Sequence, residues 1–278
     1  MPSHTTEFLG ITLDSVRWMA SLPLNKLTVY VEHIRQITHH KVITQKQLQS
    51  VIGQLSFAAT VVPARAFLRR LISRIHTVSR PHHYIKITGD MLKDIYTWLQ
   101  FFHSYNGVTF FRAINILPDS HYNMGADASR IGYGATFGKE WIQEAYPSSW
   151  QKIFDDKEIG ITVLELYPIL VLIATFGHRI KNSSLMFHSD NIGVVEIINK
   201  QSSPSKKPMI MNIVRPLVLL LMEFNIQLRS KHIQGLKNTL CDLISRFQVN
   251  QRHLQAYNMN DHPTTVPVNF RSSSFRLN

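Results

Sequence analysis

The sequence has a single cysteine, Cys241, in 278 residues. That excludes a disulfide framework and fits a reducing compartment. It lacks an N-terminal basic segment joined to an apolar stretch, so a secretory signal is not expected. Its longest apolar runs, "LYPILVLIATFG" and "PLVLLLMEF", fall short of the roughly 20 residues that a membrane-spanning helix needs and read as buried helices. The expected setting is intracellular, in cytoplasm or nucleus, with no membrane partner. Internal repeats are absent as well. Acidic residues are scarce in the first part: residues 1–115 carry 13 Lys/Arg against 5 Asp/Glu.

The rest of the chain is charged differently. Residues 116–250 carry 14 Lys/Arg against 12 Asp/Glu, and residues 251–278 carry 3 against 1, within a total net charge of +12. This asymmetry suggests one region that holds a polyanion and another that acts on it; a merely soluble basic protein accounts for the charge as well. An apolar fraction of 44% and an aromatic fraction of 10% argue for packed cores, and the length allows one large domain or two modest ones.

Along the chain, "TEFLGITLDSVRWMASLP" alternates as two short strands joined near Asp14-Ser15. "LNKLTVYVEHIRQITHH" has helical spacing. The next helix puts Leu48, Val51, Ile52, Leu55 and Ala59 on one face, with Thr44 as N-cap and Pro63 as its stop. "ARAFLRRLISRIHTVSR" reads as a helix with Leu68, Leu71, Ile72 and Ile75 opposed by Arg65, Arg69, Arg70 and Arg74. A further helix from about Thr88 to His103 repeats apolar residues at Leu92, Ile95, Leu99 and Phe102.

From about residue 116 strands alternate with helices. Strands are expected at Tyr122–Ala128, through Ala135–Phe137, at "EWIQEAY", at "SLMFHS" and at "IQLRSKHI". Helices are expected at about Thr162–His178, Ile192–Lys200, up to Glu223, and at about Asn238–Phe247. That order implies an α/β domain with a mixed five-stranded sheet covered by helices. The polar tail after Val249 is expected to be disordered.

In "YNMGADASRIGYGATFG" one carboxylate, Asp127, lies in a strand among small and apolar residues. Strands disfavour Asp, and a charge facing a core is costly without compensation. A surface turn is one account of it. The other is metal ligation, because Glu165, Asp190 and Asp242 fall at suggestive places: a helix, the C-terminal end of a strand, and the last helix. Ligands of open sheets gather at strand C-termini. Converging carboxylates need divalent cations, and hard oxygen donors suit Mg²⁺ or Mn²⁺. Two such ions can activate water and stabilise the leaving oxygen of a phosphodiester.

"ADASRIGYGATF", "LEL", "HSDN" and "HIQGLKNTLCDLISRF" resemble, in order, the four acidic motifs of the ribonuclease H domain of retroelement reverse transcriptases. The resemblance covers about residues 116–248. Upstream, "FLGITLDS" is similar to the primer-grip hairpin that ends a reverse-transcriptase palm, and "LQSVIGQLSFAATVVPARAFLRRL" to the thumb and connection. With "ELYPI" the likeness is nearest to DIRS-type tyrosine-recombinase retrotransposons. It implies a palm-end and mainly helical thumb/connection region (residues 1–115), a ribonuclease H-like domain (116–248) and a tail (249–278).

The resemblance further implies that Asp127 bridges two Mg²⁺ or Mn²⁺ ions, with Glu165 and Asp190 completing one site and Asp242 the other. It implies hydrolysis of the RNA strand of RNA–DNA hybrids to 3′-hydroxyl and 5′-phosphate ends. Ser129 and Asn191 are candidates for nucleic-acid contact, although a helix-terminal role suits Asn191 equally. His232 is either structural or the family's strand-end histidine. The Arg65, Arg69, Arg70 and Arg74 face is the candidate grip on the hybrid, its plain alternative being a solvated helix side. His39-His40 and His82-His83 read as surface positions and Cys241 as a small buried residue. No Tyr-x-Asp-Asp occurs, so DNA synthesis by this chain alone is not expected. A full-length reverse-transcriptase subunit is a candidate partner. The competing readings are a non-catalytic nucleic-acid-binding remnant of a truncated element and another ribonuclease-H-like nuclease such as a transposase or resolvase core.

Overall fold

The structure, a computed structural model, describes residues 3–104, 109–110, 117–118, 121–150, 155, 160–203, 208–234 and 238–276. The chain divides into two units of mixed α and β structure, Met1–Ala113 and Ile114–Asn278.

The first unit opens with an antiparallel meander of β1 (Thr5–Phe8), β2 (Ile11–Asp14) and β3 (Met19–Ser21). The turn expected near Asp14-Ser15 joins β2 to β3, where Asp14 Oδ1 accepts from the amides of Val16 and Arg17. An unexpected first turn sits at Leu9-Gly10, with φ of 50° and 76°. Two left-handed residues in a row make the tight hairpin turn that matches strand twist. Only one of them is glycine, which hides the turn from the sequence.

Helix α1 (Leu24–Thr38) follows, then β4 (Val42–Thr44) and α2 (Gln45–Ala58). Thr44 caps α2 in a reciprocal capping box with Gln47, which satisfies two backbone donors that would otherwise lack partners. Leu48, Val51, Ile52 and Leu55 are buried as their spacing predicts, and the face closes on Ala58 rather than Ala59. The long arginine-bearing helix is instead a 3-10 turn, Arg65–Phe67, followed by α3 (Arg69–Ile75). Ala66, Phe67 and Leu68 are all buried. Three consecutive residues cannot share one side of an α-helix, so the chain tightens there. β5 (Tyr84–Lys86) pairs antiparallel with β4. α4 (Gly89–Ser104) buries Met91, Asp94, Ile95, Trp98, Phe101 and Phe102, and β6 (Thr109–Phe110) adds to β3.

The second unit contains β7 (Leu117–Pro118), β8 (Met124–Ala128), β9 (Gly132–Phe137) and β10 (Glu140–Ala145), then α5 (Gly160–Phe176) and β11 (Ser184–Ser189). It continues with α6 (Ile192–Lys200), α7 (Pro208–Glu223), β12 (Gln227–His232), α8 (Thr239–Ser245) and α9 (Gln251–Ala256). β8, β9 and β10 form an antiparallel meander, and β11 pairs parallel with β12. β8 neighbours β11, yet the hydrogen-bonded ladders make two three-stranded pieces, β10-β9-β8 and β12-β11-β7. The expected continuous five-stranded sheet is thus divided, and β7 pairs with β11 at Leu185 and Met186.

α5 is apolar on nearly every side and packs on β8, β9 and α7. With the turn after it, Gly160–Arg179 reaches 20 residues, long and apolar enough for a membrane span, but most of it is buried inside the protein. It is the central core helix. α8 lies close over β8 and β9: a Cβ on Gly134 would stand 2.7 Å from Ile244 Cβ, and one on Gly125 2.9 Å from Cys241 Sγ. Only glycine permits that approach.

The tail departs from its expected disorder. Leu254 and Met259 pack with Trp141 and Ile244. The amides of Asn260 and Thr264 donate to the carbonyls of Lys139 and Trp141 along β10, and Ser272 Oγ donates to the Ala145 carbonyl at 2.8 Å. A few apolar anchors and the open edge of β10 hold a segment whose polar composition argues for solvent.

Candidate acidic site

Asp127 is one of two buried residues of β8. Its Oδ2 accepts a 2.7 Å hydrogen bond from Ser245 Oγ. Two more bonds fix α8 to the same strand: Asn238 Nδ2 donates to the Ala126 carbonyl at 2.8 Å, and Ser129 Oγ donates to the Ser245 carbonyl at 2.7 Å. Ser129 also accepts from the amides of Ile131 and Gly132. The structure therefore gives Ser129, assigned above to nucleic-acid contact, a turn-holding task.

Asp242 projects from α8 and forms a 2.7 Å ion pair with Arg246 Nε one turn on; both are substantially exposed. Asp190 follows the last residue of β11 and is exposed. Its carbonyl lies 3.1 Å from His232 Nε2, across the parallel pairing of Ser189 with His232. His232 thus ties the ends of β11 and β12 together. Asn191 caps α6, its Oδ1 accepting from the Val194 amide at 3.2 Å, the helix-terminal alternative for that residue. Glu165 is partly buried on α5.

Electrostatics join the four acids. Burial raises Glu165 to about 9, and the charges of Asp127, Asp190 and Asp242 add to the rise. Burial raises Asp127 to about 6; the Ser245 hydrogen bond opposes this, Asp242 and Asp190 reinforce it, and Arg246 lowers it. Charges that shift one another this way share one neighbourhood. Asp127 on β8, Glu165 on α5, Asp190 after β11 and Asp242 on α8 thus lie within electrostatic range of one another.

As they stand, no three His, Cys, Asp or Glu side chains among the described residues are grouped closely enough to hold a metal ion. Ser245 engages Asp127 and Arg246 engages Asp242, while no described residue donates a hydrogen bond to Glu165. The donor set, all carboxylate oxygen and mutually repelling, fits a hard divalent cation by its chemistry.

Sequence reasoning passed over Ser245, Arg246 and Tyr146. Ser245 and Arg246 lie three and four residues after Asp242, the spacing that shares a helix face, which is the one signal available. Tyr146 donates to the Leu164 carbonyl at 3.1 Å. Burial raises its pKa well above the ordinary value, with Glu165, Tyr167 and Asp127 adding to the rise.

The arginines of the first unit do not form one uniform face. Arg65 is exposed on the 3-10 turn, and Arg69 and Arg74 are partly buried on α3. Arg70 Nη1 donates to Asp94 Oδ1 at 2.9 Å and to the Asp90 carbonyl at 2.7 Å. Arg70 is therefore committed to α4. His39, His40 and His82 are exposed and Cys241 is buried, as their sequence positions predict.

No family model and no curated protein matches the sequence. The protein is similar to two solved structures. One is a foamy viral protease-reverse transcriptase dRH in complex with double-stranded DNA, with 14% identity, a TM-score of 0.33, and coverage of 83% of this chain and 38% of that one. The other is a foamy viral protease-reverse transcriptase in complex with double-stranded DNA, with 13% identity, a TM-score of 0.32, and coverage of 85% and 46%. The chain thus spans less than half the length of either.

Proposed function

We propose that the protein is a divalent-metal-dependent endonuclease that hydrolyses the RNA strand of RNA–DNA hybrids, as the ribonuclease H part of a retroelement reverse transcriptase of DIRS type. What supports this reading is that Glu165 is held up at about 9 by burial and by the charges of Asp127, Asp190 and Asp242, three acids carried by other parts of the unit. A fold that collects like charges without an ion pair for each invites a cation. Those four side chains would hold Mg²⁺ or Mn²⁺, which when bound supplies an activated water and charge neutralisation at the leaving oxygen.

The remaining residues position. Ser245 orients the carboxylate of Asp127. Asn191 caps α6, and His232 bonds the Asp190 carbonyl, so the chain around Asp190 is fixed from both sides. Of the arginine-rich segment, Arg65, Arg69 and Arg74 would meet phosphates, Arg70 being engaged within its unit. A-form-like geometry and the ribose 2′-hydroxyls would select the RNA strand.

The second reading, a nucleic-acid-binding remnant without turnover, is favoured by the Arg246–Asp242 ion pair, in which a fixed cation occupies one acid. Incubation of the purified protein with labelled hybrid separates the two. Cleavage of the RNA strand should require Mg²⁺ or Mn²⁺, spare single-stranded RNA and duplex DNA, and fall by orders of magnitude in Asp127→Asn, since the site would lose a charged oxygen donor for the cation. Cleavage that survives EDTA would sink the metal mechanism. Hybrid binding without cleavage would establish the remnant.

A further inference from the structure

From His33 to Gly89 the sequence contains no aspartate or glutamate, while Lys and Arg occur nine times and His six. The fold concentrates part of this stretch. β4 and β5 pair with Val42 opposite Lys86 and Thr44 opposite Tyr84. The Gln45 and Lys46 amides donate to the carbonyls of His83 and Pro81, and the Ile87 amide donates to that of Lys41, all at 2.9–3.0 Å. The Gln45 side chain, 8% exposed, donates to the carbonyls of Ile75 and Val78 at 3.0 and 2.9 Å. One buried amide thus clamps residues 75–83 against the start of α2.

This clamped lobe carries exposed Lys41, Lys46, Arg80 and Lys86, none in an ion pair with a described residue. His39, His40, His76 and His82 stand exposed around them. Ile85 points inward at 3% exposure, which puts its neighbours Tyr84 and Lys86 on the outer face of the hairpin, with Tyr84 69% exposed. A rigidly held cationic surface, built from a segment without acids and carrying an exposed aromatic ring beside basic residues, is complementary to a nucleic-acid backbone.

We propose that the β4–β5 lobe is a nucleic-acid-binding surface, gripping duplex phosphates through Lys41, Lys46, Arg80 and Lys86 with Tyr84 against the strand. Its residues are other than those of the acidic site and the arginines of α3. The assignment of nucleic acid over an anionic membrane rests on the outer face of the hairpin: it offers Tyr84 and Val42 but no apolar stripe wide enough to enter a bilayer. The proposal borrows from the hydrolase reading only the kind of duplex used as probe.

The test is fluorescence anisotropy of the full chain with a labelled RNA–DNA hybrid and a labelled DNA duplex of ~20 bp, across a salt series. The Lys41→Ala/Lys46→Ala/Arg80→Ala/Lys86→Ala variant should bind both at least roughly tenfold more weakly, and its log–log salt slope should flatten by up to about 3.6, at ~0.9 per phosphate contact. Its far-ultraviolet spectrum and melting temperature should match the parent's. Lys86→Glu alone, remote from the buried clamp, should weaken binding in the same direction. A parent chain that binds the hybrid but never cleaves it would sink the hydrolase reading and leave this one standing. Unchanged affinity and slope in both lobe variants would overturn the proposal. So would loss of binding to anionic phospholipid vesicles with duplex binding retained.

Discussion

Ser245 Oγ, on α8, donates a 2.7 Å hydrogen bond to Oδ2 of Asp127, on β8. Ser245 is 0% exposed, and its carbonyl accepts from Ser129 Oγ at 2.7 Å, so the pair is fixed from both elements. The hydroxyl works against the burial that raises Asp127. Removing it in Ser245→Ala should push Asp127 above about 6 and move the acidic limb of the hybrid-cleavage pH profile to higher pH. Loss of such an outer partner commonly costs about 10–100-fold in metal affinity or activity. Measured rates against pH and Mg²⁺ check this, with Ser245→Thr as the conservative comparison. An unchanged acidic limb and Mg²⁺ requirement would make Ser245 a packing residue only.

The raised carboxyls also govern stability. In the folded, metal-free protein Glu165 stands at about 9 against an ordinary 4.5, and Asp127 at about 6 against 3.8. A raised pKa means that the folded state holds protons the unfolded chain releases, so stability is fully present below the ordinary values and is lost as pH rises through the folded ones. In EDTA the melting temperature should therefore fall between about pH 5 and pH 9. Glu165→Gln should flatten that slope and melt higher than the parent at the alkaline end, and Asp127→Asn should melt at the parental temperature or above it. A melting temperature that climbs across this window would contradict the clustering of the four acids.

The arginines of the helical region should separate by role. Arg70→Ala removes one partner of Asp94, a carboxylate on a residue only 2% exposed. Breaking one side of a buried pair costs about 3–5 kcal/mol; with Arg70 itself 26% exposed, the lower end of that range is expected. Arg65→Ala, at an exposed position, should leave stability within about 0.5 kcal/mol. Urea denaturation of the two variants decides it, and equal midpoints would show that the Arg70–Asp94 contact does not stabilise the unit.

Much of this was legible in the residues. The 3.6-residue spacing of Leu48, Val51, Ile52 and Leu55 found α2, and Thr44 marked its start. The strands at Met124, Gly132, Ser184 and Gln227 begin near their expected positions because alternation and flanking turns are local signals. What local pattern could not carry was pairing at a distance. The Leu9-Gly10 turn needs a left-handed leucine, and the pairing of β7 with β11 rests on two residues of each strand. The four acids were proposed as one set from the order of their motifs and the resemblance that order carries. The serine and arginine that hold two of them depend on α8 crossing β8, which is a fact of packing rather than of any short segment.

The tail provides the plainest contrast between composition and contact. A disordered segment would be dispensable, so deletion after Val249 would leave melting unchanged. In the structure, however, Leu254 is 5% exposed and Met259 8%, both against Trp141 and Ile244. Trp141 Nε1 donates to the Asn260 carbonyl at 2.8 Å, and the Ser272 amide donates to Glu144 Oε2 beside the Tyr133 hydroxyl. Tyr167 OH donates to the Phe270 carbonyl at 2.7 Å, and its ring meets Phe275 at 5.3 Å. Deletion would strip these contacts from α5 and leave β10 as an open edge, which invites pairing with another chain. The chain ending at Val249 should melt well below the full chain and form larger species at raised concentration. Leu254→Ala in the full chain should cost about 2–5 kcal/mol, as core truncations of leucine do. Thermal melts and light scattering read both effects. If residues 1–249 melt like the full chain and stay a single small species, the contacts along β10 contribute nothing and the tail is the solvated segment its composition describes.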